Sequence, residues 1–134
     1  MILKSVLLVE DHPSIIFLTK LAIKESQMGE DVAEALNGEE AINYIQKQIA
    51  SGAEPPSLIL LDINMPRMNG WEFLEAYKLF SEADRKNTII VMLTSSMNPD
   101  DEARAATIPL VNLYRQKPIT TEMMEELKER FFKV

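Results

Sequence analysis

Four short apolar runs in this chain stop abruptly at a polar or charged residue. Residues 6–9 stop at Glu10 and Asp11, 58–61 at Asp62, 88–93 at Thr94, and 110–114 just before Lys117. The clearest case is SLILLDINMPRMNG (57–70), where four apolar residues meet one carboxylate and Pro66 and Gly70 then turn the chain. A run this short and uniformly apolar, bounded by turn residues, reads as a strand buried on both faces. Stretches with helical spacing lie between the runs. Pro13 opens one with Ile15, Ile16, Leu18, Ala22 and Ile23 as its core face, and Asn37–Gly38 leads into another with Ala41, Ile42, Ile45 and Ile49. Phe73, Leu74, Tyr77 and Phe80 mark a third after Gly70, and the Ala-rich 100–106 segment a fourth. Met123, Leu127 and Phe131 form the stripe of the last, with Thr120 and Thr121 as caps. A weaker strand at 31–36 completes the set, and 51–56 and 81–87 read as loops.

The order of these signals is (βα)5. Such alternation implies an α/β, doubly wound parallel sheet with helices on both faces. A flavodoxin-like strand order, 2-1-3-4-5, is the expectation at the level of the fold. A length of 134 residues suits one domain spanning 1–134. The absence of Cys excludes disulfides, thiolate metal sites and a Cys nucleophile, and the single His, His12, excludes a multi-His metal centre. A net charge of −7 argues against a nucleic-acid partner. No apolar stretch is long enough to span a membrane and the N-terminus does not read as a signal peptide, so a cytoplasmic location is expected. Because Val134 follows soon after the last helix, no output module is expected either.

If the first, third, fourth and fifth strands are parallel, their C-terminal ends share one edge, which gathers Glu10, Asp11, Asp62, Thr94 and Lys117. Three carboxylates in one small pocket repel one another, and a bound cation relieves that repulsion. Oxygen ligands suit Mg²⁺ or Mn²⁺ and not Zn²⁺. A carboxylate, a hydroxyl and an ammonium around such an ion make a phosphoryl-transfer site. Each residue also has a plainer role when taken alone. Glu10–Asp11 can cap the helix at Pro13, Thr94 can be a strand-end hydroxyl, Tyr114 can be core packing, and His12 can be a solvated residue at a helix start.

The chain resembles the receiver domain of two-component response regulators. The resemblance rests on VLLVED, on NGEEA (37–41), on LILLDINMPRMNG, on LTSS and on QKP, in the family's order and at roughly its spacing. The connections at 51–56 and 81–87 and the LTSSMNPDD segment are similar to small stand-alone receivers that partner phytochrome-type and hybrid histidine kinases. The resemblance implies that Asp62 accepts a phosphoryl group from a kinase phosphohistidine. It implies that Asp11 binds Mg²⁺ directly, Glu10 through water, and Asn64 through its backbone carbonyl. Thr94 and Lys117 would contact phosphoryl oxygens, and Pro118 would follow a cis peptide. Tyr114 matches the switch aromatic, rotating inward when Thr94 moves and so reshaping the surface of the 100–106 helix, the fifth strand and the last helix. The implied partners are a sensor or hybrid histidine kinase, recognised around His12, Ser14, Ile15, Leu18 and Pro118, and a downstream protein or a second copy through Leu110, Tyr114 and the Ala-rich helix. On this reading the chain is no turnover enzyme, and Asn64 and Ser96 tune the lifetime of the phosphorylated state. Two alternatives stand beside it. A haloacid-dehalogenase-like phosphatase shares the Asp, Thr, Lys and Mg²⁺ set, but its second acid would occupy the position of Asn64. A receiver-like module that signals without phosphate is the other.

Overall fold

The computed structural model describes residues 3–27 and 31–132. Val134, on which the expectation of no output module rests, lies outside the described residues. The elements run β1 (Ser5–Val9), α1 (Pro13–Glu25), β2 (Asp31–Ala35), α2 (Gly38–Ala50), β3 (Leu58–Asp62), α3 (Gly70–Tyr77), α4 (Glu82–Arg85), β4 (Ile89–Thr94), α5 (Pro99–Ala106), β5 (Leu113–Gln116) and α6 (Thr121–Phe131). The strands form one parallel sheet in the order β2-β1-β3-β4-β5.

Strand alternation explains why the apolar runs had no polar face. In β1, β3 and β4 the odd and even residues feed two different cores. Leu7, Val9, Ile59, Leu61, Ile90 and Met92 pack against α2, α3 and α5 through residues such as Ile45, Phe73 and Ala105. Val6, Leu8, Leu58, Leu60, Val91 and Leu93 pack against α1 and α6 through Ile23, Met124 and Leu127. The edge strands β2 and β5 have one neighbour each and keep exposed polar residues, Glu34 and Gln116.

Helix starts follow local chemistry. The Asn37 side chain accepts from Glu40 N at 2.9 Å. Asn69 and Glu72 form a reciprocal capping box at 2.9 and 3.0 Å. Thr120 accepts from Met123 N at 3.1 Å, whereas Thr121 donates to Glu25 Oε2 at 3.0 Å instead of capping.

Five expectations are corrected. Leu18 is 42% exposed, and the core stripe of α1 runs instead through Thr19, Ala22 and Ile23. A polar Thr at a core position hid that stripe. Leu36 lies beyond β2 and is exposed. The 81–87 connection contains α4, one turn capped by Ser81, whose Oγ accepts from Asp84 N at 3.2 Å. The fifth strand starts at Leu113, not at 110. Residues 108–111 form a turn in which Val111 N donates to Ile108 O, Asn112 Oδ1 then accepts from Ile90 N at 2.9 Å, and the ladder starts at Leu113 opposite Val91. Leu110 and Val111 are apolar because they pack on the core from that turn. In α6 the buried residues are Met124 and Leu127, with Met123 and Phe131 half-buried.

The wet face of α6 is tied to β5. Arg115 reaches Glu126 through Nε at 3.3 Å and Nη2 at 2.7 Å, and Arg130 approaches the same carboxylate at 3.4 Å. The Arg115 hydrogen bond is the main reason the Glu126 carboxyl titrates below its ordinary range. A depressed carboxyl pKa contributes stability above the unfolded value and loses it as pH falls through the folded one. Glu126→Gln is therefore expected to be less stable than wild type near neutrality, by under about 1 kcal/mol because the pair is partly solvated. Urea melts across pH should show that gap closing on acidification below the usual glutamate value. A gap that persists in acid would mean packing, not charge, sets it.

Candidate functional site

The C-terminal ends of β1, β3, β4 and β5 converge, and parallel registry does the convergence. Glu10 N still bonds Ala35 O at 3.0 Å, which holds the residue after β1 in line with β2. Asp62 ends β3 opposite Leu93, one residue short of Thr94 at the end of β4. Lys117 N donates to Thr94 O at 2.8 Å, so the residue after β5 is pinned to the end of β4. Gly70 N bonds Ile63 O at 2.8 Å, which brings the start of α3 against the strand that carries Asp62.

The Lys117 ammonium lies 3.0 Å from Asp62 Oδ1 and 3.0 Å from Glu10 Oε1. All three side chains are nearly buried, at 6%, 3% and 2% exposure. Glu10 Oε2 accepts from the backbone N of Asp11 (3.1 Å) and of His12 (3.2 Å) and lies 3.1 Å from His12 Nδ1. Asp62 Oδ2 is buried with no protein partner. The Lys117–Pro118 peptide is cis.

One ammonium serves two buried carboxylates, and it does so unequally. Burial alone would raise the Glu10 carboxyl, but Lys117 and His12 outweigh it and hold Glu10 low. Asp62 is held above the ordinary range, by burial first and by repulsion from Glu10 next, with Lys117 only partly offsetting both. Burial pulls Lys117 down, yet Glu10 and Asp62 together raise it. Asp62 is thus the strained acid of the cluster.

Glu10, Asp11, His12 and Asp62 each offer a ligand atom, all within 4.8 Å of one another. The buried, unpartnered Asp62 Oδ2 tests the fit of a cation. It is an acceptor with no donor, in a pocket with more carboxylates than ammonium groups, and a hard cation satisfies both deficits. Asp11 is half-buried beside it. Asn64 is exposed in the loop after β3.

Three sequence-derived residues make contacts that the sequence did not predict. The Thr94 hydroxyl donates to Ser96 O at 2.9 Å, within its own loop. Tyr114, expected to turn inward on activation, is already inward at 8% exposure, with an unpartnered phenol oxygen. His12, set aside as a solvated residue, is largely exposed but its Nδ1 stands 3.1 Å from Asp11 Oδ1 as well as from Glu10. The Glu10 hydrogen bond is the main cause of its raised pKa. Adjacency to the acid pair was the only sequence signal for this. Trp71 is buried, with the Arg104 guanidinium 4.3 Å from its ring centroid.

Comparison with known proteins agrees with this geometry. The probable methanogenesis regulatory protein FilR2 of Methanothrix harundinacea is 29% identical over 128 residues, covering 92% of this chain and 81% of that one. The response regulator Rcp1 of Synechocystis is 35% identical over 99 residues, covering 73% of this chain and 66% of Rcp1. Its Mn²⁺-bound structure matches with a TM-score of 0.77 at 28% identity, covering 98% and 96% of the two chains. A two-component response regulator from Cytophaga hutchinsonii matches with a TM-score of 0.89 at 32% identity, covering 98% of both. The family model described as the response regulator receiver domain matches residues 6–129. With a five-stranded sheet in the order 2-1-3-4-5 and an acidic nest at its C-terminal edge, the chain belongs to the response regulator receiver domain family.

Proposed function

We propose that residues 1–134 act as one phosphoacceptor switch in a two-component system, with Asp62 as the acceptor. The carrying observation is the Asp62 carboxylate: Lys117 holds Oδ1, while Oδ2 is buried and has no protein partner. A phosphohistidine of a sensor or hybrid kinase supplies the phosphoryl group. The P–N bond breaks, an Asp62 O–P bond forms, and the released imidazole takes a proton. Glu10, Asp11, Asp62 and the Asn64 carbonyl would hold Mg²⁺ or Mn²⁺, which when bound offsets charge on the phosphoryl oxygens. Lys117 would move from carboxylate to phosphoryl oxygen over a short distance, and Thr94 would give up Ser96 O for the same target.

The output half of the proposal is an exchange at Tyr114. Its phenol is buried without a partner, which costs roughly 1–3 kcal/mol against a hydrated one. An outward rotamer of similar free energy is therefore within reach, and a few charge-assisted contacts to the phosphoryl group are enough to bias the pair. The surface that changes is that of α5, β5 and α6. Membership of the receiver family supports the switch and gives no support to the haloacid-dehalogenase-like alternative. Among the described residues, no helix is long and apolar enough to cross a membrane.

Incubation with a small phosphodonor and Mg²⁺ tests the reading. One alkali-labile phosphate is expected on the peptide containing Asp62, and chelation of the metal is expected to prevent it. Phosphate on His12, or none at all, would leave a module that signals without an aspartyl phosphate. Steady turnover of a phosphate ester would return the phosphatase reading.

A further inference from the structure

The Asn64 carbonyl belongs to the 63–69 loop, and the far end of that loop is seated by an element outside the acidic nest. Met68 O accepts from Gly38 N at 2.9 Å. Gly38 is the first residue of α2 and is buried. A Cβ at Gly38 would lie 2.7 Å from Met68 Cγ, 2.8 Å from Met68 O and 3.0 Å from Met68 Sδ. The loop is tightly wound at this point. Met68 N bonds Pro66 O at 2.7 Å, and Arg67 adopts a φ of 65°, a conformation side chains rarely take. Arg67 Nη1 also lies 3.8 Å from Glu39 Oε1 on the first turn of α2. The Asn37 cap in turn fixes where α2 starts.

We infer that Gly38 is a positioning residue for the divalent-cation site: its missing side chain lets the Met68 carbonyl dock on the first turn of α2, which fixes the loop that carries the Asn64 carbonyl. The inference rests on the reading that this site binds Mg²⁺. A flexible methionine side chain can swing away from a new methyl group, but the carbonyl moves only with the loop. The Gly38 N–H is one of the donors at a helix start with no partner inside the helix, so the seat also satisfies it. Loop geometry of this kind controls metal affinity because a carbonyl ligand displaced by a fraction of an ångström no longer completes the coordination shell.

Calorimetric titration of the full chain with Mg²⁺ alone, without phosphodonor, tests this. Gly38→Ala is expected to weaken binding about tenfold or more. Adding Met68→Ala to that variant removes the side-chain clash and leaves the carbonyl clash, so binding is expected to stay weak. Ile45→Val, which trims a core methyl two turns further along the same helix, is expected to bind like wild type despite lower stability. Should Gly38→Ala not fold, Asn37→Ala loosens the start of α2 without adding atoms and is expected to weaken binding in the same direction. Wild-type affinity in whichever of Gly38→Ala and Asn37→Ala is read would overturn the inference, as would full rescue by Met68→Ala or an equal loss in Ile45→Val. If wild type itself binds no Mg²⁺, the metal reading fails and this inference with it.

Discussion

Asp62→Asn is expected to take up no phosphate from a small phosphodonor and, in metal-free buffer, to be more stable than wild type. The first effect is chemical. An amide oxygen in this pocket is a far weaker nucleophile than a carboxylate, and no other described acid of the nest is deeply buried with one oxygen on Lys117 and the other unpaired. The second effect follows from the electrostatics. Asp62 is buried, repelled by Glu10 and only partly compensated by Lys117. The Asn side-chain oxygen keeps an acceptor at 3.0 Å from the Lys117 ammonium, while the charge that Glu10 opposes is gone. A gain of order 1 kcal/mol is expected, typical of sites where function holds a group in an unfavourable place. Thermal melts with and without chelator, paired with phosphate incorporation, read both effects. Labelling equal to wild type would place the acceptor elsewhere. Lower stability would mean the carboxylate is well compensated, and the case for a cation at Oδ2 would weaken.

The largest loss of stability is expected from Phe73→Ala. Phe73 has no exposed surface and stacks on Tyr77 at 5.6 Å, and Tyr77 meets Phe80 edge-on at 5.8 Å. The three rings and Leu74 join α3 to the core face that includes Ile59, Leu61 and Met92. Truncation to Ala opens a cavity that close-packed neighbours fill only in part, at a cost of about 3–5 kcal/mol. For a small domain of ordinary stability that is a substantial fraction of the whole. The melting temperature should fall by roughly 10 °C or more, and denaturant titration gives the free energy directly. A loss below about 1 kcal/mol would mean that α3 relaxes onto the sheet and that its position is not set by this ring. Such a relaxed helix would also disturb the site, because Gly70 packs so closely that an added Cβ would lie 2.6 Å from Asp62 O.

Most of the architecture was legible because it is written in short-range chemistry. Uniform apolar runs marked β1, β3 and β4 to within one residue, since strands covered on both faces have no polar positions to dilute the signal. The cap at Thr120 marked a helix start because an orphan N–H is satisfied within three residues, whereas Asn37 read only as a turn residue and its cap emerged with the structure. Misreadings fell where burial and polarity part company. Thr19 is in the core and Leu18 is not, and Leu110 and Val111 are apolar yet belong to a turn.

At the acidic edge, the amino-acid order alone determined which side chains reach the C-terminal ends of the strands, because strand ends and turns are local events. Tertiary structure alone decided how they pair. Lys117 lies 55 residues from Asp62 and 107 from Glu10, and it divides its ammonium between them. The Thr94 hydroxyl turns to Ser96, the Tyr114 ring lies inward, and a glycine in α2 seats the loop after β3. The physical reason is registry. Contacts of a few ångströms between segments distant in sequence depend on how strands align and helices dock, and no local pattern of residues encodes that alignment.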